Sequence, residues 1–100
     1  MMDISIAIGR NVGDEPMSDD QWNNYRHQLT RIITIRRGTI EVSESGVATY
    51  GDLLEEHRRI WAKVDDNDIL DIRRALRELA GENGQWGVAL SYVATEIIRP

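Results

Sequence analysis

The stretch VATYGDLLEEHRRIWAKV, residues 47–64, admits two secondary structures, and the fold depends on which one forms. Read with a period of 3.6, Leu53, Leu54, His57, Ile60, Trp61 and Val64 make one apolar stripe, and Asp52-x-x-Glu55 resembles a helix cap. Read with a period of two, Ile60, Ala62 and Val64 alternate with Trp61 and Lys63, as in a half-buried strand. Over residues 52–61 the helical period fits slightly better, so periodicity alone leaves residues 52–64 open between strand and helix. The neighbouring segment TIRRGTIEVSESG argues for the strand. There Ile40 and Val42 share one face and Glu41 and Ser43 oppose them, while SESG has turn chemistry. A single strand needs a partner and the turn invites a hairpin, so a strand from about His57 to Val64 is predicted.

The rest of the chain is plainer. Ile4, Ile6 and Ile8 alternate with Ser5 and Ala7, a strand with a small-residue second face. Ser18-Asp-Asp-Gln21 fits a capping box, with Met17 and Trp22 at the two hydrophobic staple positions and Asp19 and Asp20 in the first turn. Trp22, Tyr25, Leu29, Ile32 and Ile33 then form a helical stripe, and the helix is predicted to run to about Ile33. A second helix begins with a cap among Asp65–Asn67, carries Ile69, Ile72, Leu76 and Leu79, and is predicted to stop at Gly81. Residues 85–98 read as a closing strand, with Val88, Leu90 and Tyr92 on one face. The order β-α-β-β-α-β is that of the ferredoxin-like, split βαβ α+β fold. It predicts one domain over residues 1–100, a four-stranded antiparallel sheet, and two helices on one face.

Composition narrows the function classes. The chain lacks cysteine, which removes disulfides, thiolate chemistry and the common zinc clusters. No basic n-region or long apolar run marks a signal peptide or membrane span, so a cytoplasmic protein with no membrane partner is expected. The net charge of −5 makes nucleic acid an unexpected partner. The charge is uneven: residues 1–20 hold one Arg and five acids, whereas residues 21–40 hold four Arg and no acid. Either Arg26, Arg31, Arg36 and Arg37 form a basic patch, or they pair with neighbouring acids on solvated faces.

The glycine-bearing stretch Gly9-Arg-Asn-Val-Gly13-Asp-Glu-Pro16 has only a partial likeness to a phosphate loop. Its second glycine comes one residue too early for a P-loop, Asp14 stands where lysine belongs, and the third glycine of a dinucleotide fingerprint is missing. A strand exit into the Met17–Gln21 cap accounts for the same residues. His57 beside Glu55 and Glu56 reads first as a surface ion pair, and His27 falls on a polar helix face; neither has metal-ligand spacing. Asp65-Asp-Asn-Asp68 reads as a helix cap rather than a calcium loop. No catalytic residue, cofactor or metal ligand is assigned. Trp61 and Trp86, both placed on strands, are expected in the core, with a partner contact on the open sheet face as the other reading.

The combination of IGRNVGDEPMSDDQW (residues 8–22), TYGDLLEEHR (residues 49–58) and LRELAGENGQWGVALSYVATEII (residues 76–98) resembles a group of small uncharacterised proteins from phages of actinobacteria. The resemblance implies a phage accessory protein working in the host cytoplasm, and it favours the strand over residues 57–64. It implies no active site.

The leading functional expectation is therefore a small acidic module that is not an enzyme, docks on a protein and forms a homodimer. Its expected contacts are Trp61, Arg36, Arg37, Arg58 and Arg59. The alternatives are an anionic-ligand domain built on Arg10 and the Gly9–Gly13 backbone, an enzyme of an unrecognised class using His57 with Glu55 or Glu56, and a DNA mimic.

Overall fold

A computed structural model describes residues 1–100, except the side chain of Tyr50. Strand β1 (Met2–Gly9) leads through a small ladder, β2 (Asn11–Val12) against β3 (Glu15–Pro16), into helix α1 (Asp19–Thr34). The long strands β4 (Thr39–Tyr50) and β5 (Leu53–Val64) follow. After a 3-10 turn at Asp66–Asp68 come helix α2 (Ile69–Glu82) and strand β6 (Ala89–Tyr92). The main sheet has the order β4-β5-β1-β6 and is antiparallel throughout. With α1 and α2 packed on one face, this is the ferredoxin-like α+β architecture. No helix is long and apolar enough to cross a membrane.

Residues 53–64 are strand, and pairing explains why the helical period loses. β1 claims one edge of β5 from Gly9↔His57 to Met2↔Val64, and β4 claims the other from Tyr50↔Leu53 to Thr39↔Lys63. A helix here would leave both neighbours with open edges, a cost larger than any local preference. The hairpin turns at Gly51, whose φ of 62° suits the first central position of a two-residue loop. SESG is therefore not the turn; it lies within β4.

The core lies between the sheet and the two helices. Ile4, Ile6 and Ile8 of β1 and Ile60, Ala62 and Val64 of β5 meet Trp22, Tyr25, Leu29 and Ile33 of α1 and Ile72, Leu76 and Leu79 of α2. The predicted start of α1 holds: Ser18 Oγ accepts from the Gln21 backbone amide at 3.2 Å, and Met17 and Trp22 are both buried.

Four expectations are corrected. Ile40 and Val42 do not share a face, because a bulge at Glu41 shifts the register so that Ile40 opposes Ala62 while Val42 opposes Trp61. Gly81 does not stop α2. Asn83 ends it, with its side-chain amide donating to the Leu79 carbonyl at 2.8 Å, and Gly84 supplies the left-handed turn at φ 63°. The closing strand spans only Ala89–Tyr92. Neither Trp61 nor Trp86 is core: Trp61 is half-buried on the open sheet face, and Trp86 is fully exposed in the loop before β6.

Candidate functional site

Every second residue of β5 points away from the helices, which places Glu55, His57, Arg59, Trp61 and Lys63 in one row on the open face. The cross-strand neighbours of this row are small. Ser5, Ala7 and Gly9 of β1 oppose Trp61, Arg59 and His57, and Gly46 and Ala48 of β4 oppose His57 and Glu55. The large polar side chains therefore lie down over small ones. A Cβ on Gly9 would sit 2.5 Å from the Glu55 carboxylate, and a Cβ on Gly46 would sit 2.8 Å from the His57 ring. Arg59 Nη1 donates to Ser5 Oγ at 2.7 Å, and its guanidinium lies 5.8 Å from the centre of the Trp61 ring. That cover leaves Ser5 only 2% exposed on a face that otherwise meets solvent.

Two loops close one end of this face into a groove of about 660 Å³. The Asn11 amide donates to Glu55 Oε2 at 2.9 Å, which fixes the carboxylate beneath the β2–β3 ladder. Gln85 Nε2 donates to the Asn11 carbonyl at 2.9 Å, so the loop after α2 is tied to the same ladder and carries Trp86 to the rim. The groove thus holds a fixed carboxylate, an imidazole, a guanidinium and a free indole face. This set can receive a ligand with both charges and an aromatic ring.

Arg10, the expected anion contact of the Gly9–Gly13 stretch, is already paired within the chain. Arg10 Nε donates to the Met17 carbonyl at 2.8 Å, and its terminal nitrogens pair with Asp19 at 2.6 Å and Glu56 at 3.1 Å. Its hydrogen bond to Asp19, then that to Glu56, raise the Arg10 pKa further above the ordinary value. The guanidinium is a strut joining β1, β5 and the start of α1, with three of its five N–H donors engaged and its charge matched by two carboxylates. Glu56 therefore belongs to this strut, while Glu55 and His57 share the groove.

The five expected partner contacts fall in three places. Trp61 and Arg59 lie together on the open face. Arg58 points to the helix side and donates to Ser43 Oγ at 2.7 Å. Arg36 closes the end of α1, bonded to Asp71 at 2.7 Å and to the Ile32 carbonyl at 2.9 Å, and Arg37 beside it is exposed. Trp86, expected in the core or at a partner contact, lines the groove, and so does Gln85, which sequence reasoning missed because a contact 74 residues away from Asn11 leaves no periodic trace. Among the described residues, no three of His, Asp and Glu come together as a metal site.

No family model and no curated protein matches the chain. Solved structures do match its fold. An unknown protein from Galdieria sulphuraria superposes with a TM-score of 0.64 at 12% identity over 93% of this chain, which spans 50% of that one. A phage SAM lyase in its apo state gives 0.52 at 21% identity, covering 98% of this chain and 92% of that chain. The de novo designed protein Foldit4 gives 0.51 at 14% identity, with 95% and 96% covered. At such identities the likeness is one of fold.

Proposed function

We propose that the chain is a phage protein that binds S-adenosylmethionine in the open-face groove and cleaves it. The observation that carries this reading is the groove itself: Glu55, His57, Arg59 and Trp86 gathered at one end of the sheet. Together they match the charged and aromatic parts of that ligand. A sulfonium cation is attracted by a fixed carboxylate and an aromatic face, an adenine stacks on an indole, and an α-carboxylate suits a guanidinium or imidazole. Breaking a carbon–sulfur bond of a sulfonium sends the bonding pair to a neutral thioether leaving group while an oxygen of the ligand's own α-carboxylate closes on the carbon to form a lactone, and positive charge develops on that carbon in the transition state. A carboxylate held at that carbon, as Glu55 is held by Asn11, stabilises it. The phage SAM lyase, a protein of nearly the same length and fold, supports the reading, as does the resemblance to actinobacteriophage proteins. Incubating the purified protein with S-adenosylmethionine and following its loss by chromatography is the test. Loss of substrate, slowed about 100-fold or more by Glu55→Gln, is expected. Failure to bind the ligand by calorimetry at millimolar concentration would refute it.

A second reading, docking on a protein or on a copy of itself, is favoured by the hairpin arm. Beyond Gly9 the β4–β5 hairpin continues as a two-stranded arm with Val47, Leu53 and Leu54 exposed, and β4 is an unpaired edge. Light scattering tests its self-association: a homodimer that Trp61→Ala or Leu54→Asp disrupts supports it, and a monomer in every case removes it. A phage protein of either kind would work in the host cytoplasm.

A further inference from the structure

On the helix side of the sheet, away from the groove, two arginines converge where nothing negative meets them. Arg26 projects from α1 and Arg58 from β5, and both reach a cleft of about 200 Å³ at the β4 side of α1. The chain as a whole carries net −5, so two adjacent cations without an acid run against its composition. Among the described residues neither Arg26 nor Arg58 enters an ion pair. Their hydrogen bonds go to neutral groups, Arg26 to Asn23 Oδ1 and Arg58 to Ser43 Oγ. The Nε of each is buried and has no acceptor. The Trp22 ring, 5.6 Å from the Arg26 guanidinium carbon, holds that group in place. Burial first, then the charge of Arg26, lower the Arg58 pKa, so each cation is a burden on the other.

We infer that this cleft is an anion-binding site for a phosphate-class oxyanion. Two guanidinium forks supply the charge. Asn23 and Ser43 orient the forks, and His27 and Thr30 complete a lining that includes no carboxylate. A planar carboxylate uses one fork, whereas a tetrahedral, doubly charged oxyanion takes donors from several directions at once. Binding relieves the repulsion between the two arginines, so affinity and the unfavourable pairing in the free protein share one origin. The site is independent of the groove, because Arg58 lies on the opposite face of β5 from His57 and Arg59.

The test is a titration of the full chain with inorganic phosphate at constant ionic strength, followed by thermal unfolding and by 1H–15N shifts. Saturable stabilisation is expected, with the largest shifts at Asn23, Arg26, Ser43 and Arg58 and none from chloride. Arg58→Met should weaken phosphate binding at least tenfold, yet unfold at the same or a higher temperature than the parent in phosphate-free buffer, because it removes the repulsion. Arg26→Gln reads the same two quantities should Arg58→Met fail to fold. An arm with adenosine monophosphate identifies the source: tighter binding than phosphate assigns a nucleotide, and equal or weaker binding assigns the free oxyanion. Equal responses to phosphate and chloride, or shifts scattered over the surface, would overturn the inference.

Discussion

The Glu55 carboxylate fills the space in which a side chain at Gly9 would begin, 2.5 Å from the ideal Cβ position. The two residues belong to strands that pair one step away, Gly9 standing opposite His57. Glycine here is a requirement of the neighbour rather than of the turn. It lets a carboxylate fold over the backbone and accept the Asn11 amide.

Gly9→Ala follows as a positional probe of the groove. The obstructing atoms are the free end of a flexible side chain, so the carboxylate swings out and the backbone stays. The loss of one hydrogen bond to Asn11 costs about 1 kcal/mol. Circular dichroism should show the fold intact, while the proposed turnover of S-adenosylmethionine falls at least tenfold. Unchanged turnover would mean that the position of Glu55 is immaterial to the chemistry.

Trp86 separates binding from stability. Its ring is fully exposed and packs in no core cluster. Trp86→Ala should leave the unfolding free energy within about 0.5 kcal/mol of the parent, yet weaken ligand binding measured by calorimetry. A large loss of stability would place the ring elsewhere.

Tyr25 makes stability fall at high pH. Its side chain is fully buried in the core and its hydroxyl has no acceptor. Burial chiefly, and the charge of Glu55 next, raise its pKa above the ordinary 10.0. The unfolded chain releases this proton near pH 10 while the folded chain keeps it. The stabilising contribution is complete below that pH and drains away above it, by up to about 1.4 kcal/mol per pH unit. Chemical unfolding between pH 8 and 11 checks the slope. Tyr25→Phe should flatten it and raise stability at neutral pH by about 1 kcal/mol, since it removes a buried hydroxyl without a partner.

Ser18→Ala removes the acceptor for the Gln21 amide. Loss of an N-cap costs about 1 kcal/mol, and for a domain of this size the melting temperature should drop by about 4–8 °C. Ser18→Asp should restore most of it. A melting temperature unmoved by Ser18→Ala would show that the neighbouring core contacts alone hold the start of α1.

What could be read along the chain is what neighbours in sequence decide. The Ser18 cap, the apolar stripes of α1 and α2 and the alternation of Ile4, Ile6 and Ile8 depend on contacts within a few residues, so composition and spacing suffice. They carried both helices and the first strand, while the ferredoxin-like order also needed residues 53–64 as a strand. The state of residues 53–64 was settled from both sides by β1 and β4, because strand hydrogen bonds join residues far apart in sequence. The Glu41 bulge, which turns Val42 to the open face beside Trp61, is likewise a matter of register. So is the groove: Gly9, Gly46 and Asn11 meet Glu55 and His57 only once four strands are in place, and Trp86 arrives by a loop that Gln85 ties down. Residues of one helix or strand announce themselves by period, but partners across a sheet do so only through tertiary structure, where hydrogen-bond satisfaction and the space left by small residues choose among them.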